Sequence, residues 1–519
     1  MSVDSPGSRP TDAGSREDAT TPPASSHPTP LASTSSGNAS DASLDAGALD
    51  DAAYLEKLGY KQELNRALGL ISSFGVQFSS ISVGSALFTT LVVGLGFFGP
   101  ASFWSYLIGG AFQVLLVGLA MAQLVSAYPL SGGVYQIATR LSRKPWLGWQ
   151  CGWMVVIAHT VAVTSIAVSI VPFVAAWFGA DPQGGSVIVW TIGLILLVTV
   201  INLVGVKITA TANNIGVIAE IACVVLAIGA LLFFKHPTQP LSVVFDSAGT
   251  AAHGWITPLL LGTILPAYLI SSFDATGNAA EETRDAARTA PRGTSIANIS
   301  AWVVGSAMML LLIVSIPDVR TIRNSQTPAQ DILSSAVGTT VTDIFIALAV
   351  IALIAAMAVL QLTGVRVLWS QARDGQLPGA SWLRKISAAK VPINATFVLA
   401  GVSILIALWS SLLAVLAALT ALAWALSYGV VVALGLRAVL RKNLPSHPWH
   451  YGKFSPVIFV GAVLWSIVLC VVLVVSDPIH VGLGMVAALV IGALLYLGIP
   501  KARRGRVVGV TDDTAATAD

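Results

Sequence analysis

Two carboxyl side chains, those of Glu220 and Asp274, lie in stretches of the sequence that are otherwise almost entirely apolar or small. A carboxylate at membrane depth is costly unless it is paired, protonated or next to water. Glu220 is therefore the first candidate for a group that exchanges a proton and Asp274 the second, with a structural hydrogen bond as the other role open to Glu220. Histidine ordinarily titrates near neutral pH, which makes His159 a further candidate, but a single His among apolar residues is more typical of packing.

Two long apolar stretches are interrupted by polar and small residues. The first interruption runs from Ser79 to Ser85 with the sequence SSISVGS, and the second from Ser271 to Gly277 with the sequence SSFDATG. Backbone that leaves helical geometry at membrane depth is tolerated only where it is buried in protein or lines a cavity. Broken spans in corresponding halves of a chain are typical of secondary transporters, whose sites lie at the breaks. The sequence therefore predicts a ligand site between the two breaks.

The first break is suited to a carboxylate. A helix that begins after Ser82 presents unpaired backbone N–H groups and the positive end of its dipole. Serine hydroxyls add further donors, and a glycine keeps the backbone approachable. The residues predicted for this side of the site are Ser79, Ser80, Ser82, Val83, Gly84 and Ser85.

The composition indicates an integral membrane protein, since 55% of the residues are hydrophobic and only 10% are charged. A membrane-spanning helix needs about 20 apolar residues, and the absence of period-two alternation excludes a barrel of strands. The predicted fold is therefore all-α, with twelve membrane-spanning helices. They lie near residues 70–98, 101–127, 147–178, 186–206, 211–234, 255–279, 297–317, 342–367, 393–411, 413–436, 456–475 and 480–499.

The distribution of Lys and Arg predicts the orientation. Of the 28 basic residues, only Lys235, Arg320 and Arg323 fall in loops predicted to lie outside the cell, and short inner loops carry the excess of positive charge. We expect a multi-pass protein of the plasma membrane with both termini cytoplasmic. Topology explains the basic clusters, so the lipid bilayer is the expected surroundings and the net charge of +3 does not indicate nucleic acid.

The ends of the chain and its cysteines carry less information. Residues 1–55 are rich in Ser, Thr, Pro and Asp and are predicted to be a disordered cytoplasmic tail, and 501–519 a second cytoplasmic tail. The cysteines, Cys151, Cys223 and Cys470, stand in separate apolar spans without the spacing of a metal or redox site. We therefore expect neither a cofactor nor a metal.

The segment from Tyr128 to Tyr135 reads YPLSGGVY, in which the proline ends a helix and the glycine pair permits a turn with positive φ. It resembles the YPxSGGxY loop of the amino acid–polyamine–organocation superfamily, and other segments are similar to its amino acid/choline transporter branch. These segments are FSSISV from Phe78, GPAS from Gly99, VGLAMA from Val117, and FDAT from Phe273 followed by EET from Glu281.

The resemblance implies a leucine-transporter-type fold of five plus five helices in an inverted repeat, with two added helices. The repeats would cover about 70–234 and 255–437, and the added pair 456–499. It also implies a second wall of the site that contacts the amine or side chain of the cargo, formed by Phe273, Asp274, Ala275 and Thr276. Asn278 departs from the histidine of the branch, so the titrating role of that position is not carried over.

Two classes of function follow from these observations. The first is a secondary active transporter for an amino acid or related small amine, of the amino acid, γ-aminobutyrate, choline or polyamine class, with proton coupling or exchange. The second is a membrane-bound sensor that keeps the binding fold without net translocation. Neither a Walker A motif nor a catalytic constellation is visible, so the chain is not expected to be an enzyme.

Overall fold

The computed structural model describes residues 69–500 and 504, except 131, 143, 181–183, 234–238, 388–390 and 410–411. The side chains of residues 206, 207 and 282 are likewise outside the description. The predicted tails, 1–55 and nearly all of 501–519, therefore lie outside the described residues. Within the described ranges the chain is helical and has no β-strand, as expected for an all-α membrane protein.

The first half of the described chain contains eight α-helices. These are α1 (Leu70–Ile81), α2 (Val83–Phe98), α3 (Ser102–Phe112), α4 (Leu119–Ala127), α5 (Gly133–Leu141), α6 (Pro145–Trp177), α7 (Gly185–Val204) and α8 (Val206–Phe233). A short 3-10 turn, Gly99–Ala101, separates α2 from α3, and a π-helical segment, Gln113–Gly118, joins α3 to α4.

The second half continues with α9 to α20. These are α9 (Ile256–Gly262), α10 (Ile264–Leu269), α11 (Ala275–Asn278), α12 (Ala286–Val314), α13 (Val319–Arg323), α14 (Pro328–Val337), α15 (Thr339–Arg373), α16 (Ala380–Leu383), α17 (Ile393–Trp409), α18 (Leu413–Leu440), α19 (Ser455–Ser476) and α20 (Leu483–Leu497). A second π-helical segment, Pro478–Gly482, precedes α20.

Nine stretches of the described chain are long and apolar enough to cross a membrane, and two shorter apolar helices, Ile256–Leu269 and Ile393–Trp409, accompany them. The first of the nine, Leu70–Ala127, has 58 residues, although one crossing needs only about 20. This stretch contains the first two predicted spans. The helices follow the predicted spans along the chain, while the count of twelve and the inverted repeat stay predictions.

Burial divides the helices into a centre and a periphery. In α6, 94% of the most apolar 18-residue segment is buried inside the protein. In the stretch Pro478–Leu497, which includes α20, the buried share of the corresponding segment is only 22%. The central helix α6 packs mainly against α18 and α15, while α8 packs against α15 and α12 against α1. The apolar side chains left exposed on the outer helices are suited to contact with lipid. The centre of the bundle is therefore where a polar site can be enclosed by protein.

Candidate functional site

The first break is a single residue wide. Helix α1 ends at Ile81, α2 begins at Val83, and Ser82 between them has φ of +47°. The amide of Ser82 donates to Phe78 O at 2.9 Å, and its hydroxyl donates to Ser79 O at 2.9 Å. These bonds satisfy the end of α1, so the interruption is narrower than the predicted stretch from Ser79 to Ser85.

The carboxylate of Glu220 caps the start of α2. Its Oε1 accepts from the amide of Gly84 at 2.6 Å and from that of Ser85 at 3.4 Å, while Oε2 accepts from the Ser85 hydroxyl at 2.6 Å. A Cβ atom on Gly84 would lie 2.5 Å from Val224 Cγ2 and 3.2 Å from Glu220 Oε1. Helix α8 thus approaches the first break so closely that a side chain at position 84 would force Val224 to move.

The second break separates α10 from α11. Ser272 lies within it at φ of +57°, and Asp274 directly precedes α11. Asp274 Oδ1 accepts from the Tyr428 hydroxyl at 2.6 Å, and Oδ2 accepts from Asn278 Nδ2 at 2.9 Å. Phe273 is fully buried and packs on the Tyr428 ring with 5.5 Å between centroids. The second break is therefore fastened to α18 through Tyr428.

His159 extends the polar cluster at this break from the opposite helix, α6. Its ring is fully buried, its Nδ1 lies 2.8 Å from Val155 O, and its ring meets Trp424 edge-on at 5.8 Å. Within the described part of the chain Nε2 has no hydrogen-bond partner, and the imidazole is close enough to Asp274 for an electrostatic interaction. The bond to its own helix is consistent with a packing role, while the electrostatic interaction with Asp274 was not predicted from the sequence.

Both breaks border one central cavity. Ser80 and Ser82 line it from the first break and Ser271 from the second, and α6, α15 and α18 contribute apolar walls that include Ala162, Leu353 and Trp424. The cavity measures about 20 Å³, which is room for roughly one water molecule. Ligand pockets usually measure about 300–1,000 Å³. The walls must therefore separate before a molecule of amino-acid size fits.

The ten residues predicted to bind the cargo fall into three groups. Ser80 and Ser82 line the cavity, whereas Gly84 and Ser85 contact Glu220 behind it. The remainder are buried around the breaks, with Thr276 hydrogen-bonded to Thr294, and do not border the cavity. They are Ser79, Val83, Phe273, Asp274, Ala275 and Thr276.

Sequence reasoning did not identify the apolar walls of the cavity. Ala162 of α6, Leu353 of α15 and Trp424 of α18 are ordinary residues of apolar helices, and nothing in their local sequence separates them from neighbours that face lipid. The one available signal was Trp424 with Tyr428, since residues four positions apart share a helix face. Their aromatic side chains mark the face of α18 that points toward His159 and the second break.

A family profile described as "Amino acid permease" matches residues 68–495, which include both breaks and every helix that lines the cavity. The chain belongs to the amino acid permease family. The resemblance to the superfamily that was drawn from the sequence is thereby confirmed. The protein is a membrane transporter of the amino acid permease type, and it is not an enzyme.

Relatives align over most of their length. The amino-acid permease BAT1 homolog of Oryza sativa subsp. japonica is 27% identical over 483 residues, 85% of this chain and 91% of the relative. Amino-acid permease BAT1 of Arabidopsis thaliana is 26% identical over 476 residues, with coverages of 82% and 89%. The thiamine transporter thi9 of Schizosaccharomyces pombe is 25% identical over 479 residues, with coverages of 82% and 80%.

The YPLSGGVY segment lies directly against the second break. Helix α4 ends at Ala127, before the proline, and Gly132 and Gly133 have φ of +99° and +40°, as the sequence predicted. A Cβ atom on Gly133 would lie 2.7 Å from Asn278 Oδ1 and 3.2 Å from Asp274 Cβ. Residue 131 of the segment lies outside the described residues. The glycine pair therefore lets the chain turn in contact with the segment that carries Asp274.

Helix α5 is fastened at its start to the end of α15. Tyr135 is buried within the protein, and its hydroxyl donates to Asp374 Oδ2 at 3.1 Å. Burial raises the pKa of the Asp374 carboxyl above its ordinary value, while Arg373, Tyr135, Arg140 and Gln136 act in the opposite direction. This buried contact joins two segments predicted to lie at the cytoplasmic face.

Other polar residues within the helices form hydrogen bonds across the bundle. In each case an amide side chain pairs with a residue of another helix. The pairs are Gln77 with Asn298, Gln113 with Trp465, Gln123 with Ser455, and Asn202 with Gln361. The cysteines are all free, and the described residues contain no cluster of metal-ligating side chains. These residues serve packing and helix pairing.

Proposed function

We propose that the protein is a secondary active transporter that carries an amino acid or related small amine across the plasma membrane. The observation that carries this proposal is the central cavity, which both broken segments border together with α6, α15 and α18. Non-helical backbone meets a cavity at the middle of the bundle, and this is where transporters with broken helices bind their substrate. Membership of the amino acid permease family supports the same conclusion.

The proposed placement has twelve spans with both termini on the cytoplasmic side. Five spans would form each inverted repeat, at about 70–234 and 255–437, with an added pair at 456–499. The positions of the two breaks support this arrangement, since one lies in the first span of each proposed repeat. The scarcity of Lys and Arg in the proposed outer loops supports the orientation.

The proposed cargo has an amine and belongs to the amino acid, γ-aminobutyrate, choline or polyamine class. Several relatives are named amino-acid permeases, and one is named a thiamine transporter. The polar groups of the two breaks support binding of a small zwitterion or cation between them, with Phe273, Asp274, Ala275 and Thr276 facing the amine after the cavity widens. In the present conformation this wall is held by Tyr428 and Asn278.

A thermal-shift screen of the purified protein against these compounds tests the cargo class. A ligand that binds the native state raises the melting temperature, by an amount that grows with its concentration. Counterflow of the labelled hit in proteoliposomes then separates transport from sensing. Exchange of label across the membrane is the expected result, whereas saturable binding without exchange would favour a sensor that retains the transporter fold.

The proposed driving ion is the proton, with Glu220 as first and Asp274 as second coupling group. Both carboxyl groups are fully buried and lie at the two breaks, where a change between states would alter their surroundings. The test is accumulation of the labelled hit under an imposed pH gradient without sodium. Accumulation by the wild type and its loss in Glu220→Gln are expected. A requirement for a sodium gradient, or full accumulation by Glu220→Gln, would contradict proton coupling through Glu220.

A further inference from the structure

The start of α2 offers donors suited to a carboxylate, and a carboxylate of the protein itself already occupies it. Glu220 accepts from two backbone amides and one hydroxyl there, those of Gly84 and Ser85. The helix behind these donors has 16 residues, so its dipole adds positive potential at the same point. The groups suited to the cargo's carboxylate are therefore bound to Glu220.

Two carboxylates do not occupy one helix terminus together. Like charges at hydrogen-bonding distance repel strongly in a buried site, and one of the two groups must be protonated or leave. The donor set cannot be shared either, because the Gly84 amide points at Glu220 Oε1 from only 2.6 Å. Cargo with a carboxylate would therefore have to take these donors from Glu220.

We propose that Glu220 and the carboxylate of the cargo occupy the start of α2 alternately, so that one proton is taken up for each carboxylate bound. This inference rests on the proposed transport function and specifies how a proton and a cargo would be linked. The proton adds to the Glu220 carboxylate to form a neutral carboxyl, and no other bond is made or broken. The neutral group releases the Gly84 amide, and the cargo's carboxylate accepts from it instead.

Among the described residues, the surroundings of Glu220 contain no other charged group that could perform this exchange. Its hydrogen bonds all come from α2, and Cys223 is the titratable side chain beside it on α8. Helices α1, α2 and α7, which pack on α8, contain no charged residue or histidine. The charged residues of α12, α14 and α15, which also pack on α8, make no contact with Glu220 in the described part of the chain. They are Arg288, Arg292, Asp331, Asp343, Arg366 and Arg373.

The proposal restricts proton linkage to cargo with a carboxylate. An amine that lacks this group leaves Glu220 ionised on α2 and binds without taking up a proton. An amino acid and the amine formed by removing its carboxyl group are therefore a matched pair of probes. Both keep a protonated amino group between about pH 5.5 and 7.5, so any difference in proton uptake reports on the carboxylate.

The experiment is calorimetric titration of the purified protein with an amino acid found in the screen and with its decarboxylated amine, in buffers of different ionisation enthalpy. The dependence of the heat on the buffer gives the number of protons taken up. For the wild type we expect uptake to approach about one per amino acid as the pH rises, with Kd increasing about tenfold per pH unit. The amine should cause no uptake.

Glu220→Gln should bind the amino acid with a Kd that does not depend on pH and without proton uptake, while Asp343→Asn, at an exposed carboxyl on α15, should behave as wild type. Ser85→Ala serves if Glu220→Gln does not fold. It removes one donor from ionised Glu220, so the cargo-free protein holds the Glu220 proton to higher pH and proton uptake on binding should begin at a higher pH than in the wild type. A purely structural role of Glu220 would not produce this change.

Three results overturn the inference: no proton uptake by the wild type at any pH, equal uptake with the amino acid and the amine, or full uptake by Glu220→Gln. Counterflow of the same labelled amino acid distinguishes this failure from failure of the proposed function. If the label exchanges across the membrane but proton uptake does not depend on the carboxylate of the cargo, only the proposed alternation at the start of α2 is wrong. If no probe binds or exchanges, the transport proposal is wrong as well.

Discussion

Gly84 is the residue at which the first break, the Glu220 carboxylate and helix α8 meet. A side chain there would collide with Val224 and press on Glu220. We expect Gly84→Leu to lower uptake at least about tenfold and to destabilise the fold by roughly 1–3 kcal/mol, the usual range for overpacking. Uptake of the labelled cargo, normalised to the amount of protein in the membrane, measures the effect.

Gly96 provides the matched control on the same helix. A Cβ atom there would meet no atom within 4 Å, so Gly96→Leu should insert and transport like the wild type. Wild-type uptake by Gly84→Leu would show that the start of α2 takes no part in the transport cycle.

Asp274 is the residue that the proposed function assigns to a cationic amine. Asp274→Asn keeps the shape of the side chain but removes its charge, and we expect the Kd for amines to rise about 10–100-fold, since hydrogen bonds to charged groups contribute about 1.5–3 kcal/mol. Calorimetric titration measures this change. Unchanged affinity would assign Asp274 a purely structural role with Tyr428 and Asn278.

The role of Phe273 is better tested by a substitution milder than truncation to alanine. Its ring is fully buried against Tyr428 and close to Gly118, so Phe273→Ala would leave a cavity and cost about 3–5 kcal/mol of stability. Phe273→Leu keeps most of the volume. If Phe273 covers the cargo, Phe273→Leu should weaken binding while the melting temperature changes little, and a loss of stability with unchanged affinity would contradict that role.

The sequence predicted the break at Ser82 but not the contacts made around it. A run of serines and a glycine inside an apolar span is a local signal, and local chemistry determines where a helix is interrupted. The pairing of Glu220 with Gly84 spans 136 positions of the chain and depends on the rotation of α8 about its axis. Hydropathy carries no information on that rotation, since Glu220 stands among residues that are apolar on every side.

At the scale of helices, the apolar stretches of the sequence predicted where each helix lies better than where it begins and ends. The predicted span at 297–317 corresponds to α12, which begins at Ala286. Hydropathy missed the first turns of this helix because they contain Arg288 and Arg292 and are therefore not apolar. Likewise α15 extends beyond 342–367 to both sides, from Thr339 to Arg373. Hydropathy identifies the part of a helix that lies in lipid, whereas the helix itself continues into the polar region.

The turn before α5 connects the conformation of one helix to that of another. Gly133 touches Asn278 and Asp274 and has positive φ, so Gly133→Ala would push α5 away from the second break. We expect transport to fall more than about tenfold, with an altered Kd for amines. Gly179→Ala is the control, because Gly179 also has positive φ, of +66°, but has open space around it. Equal effects of the two variants would show that backbone conformation, not the contact, is responsible.

For the molecule as a whole, Asp374 predicts a dependence of stability on pH. Because burial raises its pKa above the ordinary 3.8, the unfolded chain releases this proton at lower pH than the folded protein does. Folding stability should therefore decrease as the pH rises from about 4 toward the raised pKa and stay level above it. Asp374→Asn should lack this component and gain melting temperature relative to the wild type over that interval.

Melting curves in detergent from about pH 4 to 7.5 measure this difference. Asp343→Asn again serves as the control, since its side chain is exposed on α15 and its removal should leave the difference from wild type independent of pH. A variant Asp374→Asn that loses stability equally at every pH would mean that the hydrogen bond from Tyr135 outweighs the burial of the charge.

Ser82 and Ser272 hold the two breaks in a left-handed conformation, with φ of +47° and +57°. A residue other than glycine adopts this conformation at a cost of about 1–2 kcal/mol, whereas glycine would adopt it freely. Rewinding either serine into right-handed helical geometry would therefore relieve this cost. If Ser82 adopted right-handed helical geometry, α1 and α2 would join into one continuous helix from Leu70 to Phe98. The backbone N–H groups offered at the break would then donate to carbonyl groups of the same helix. Winding of the chain would then withdraw the binding surface, and unwinding would restore it.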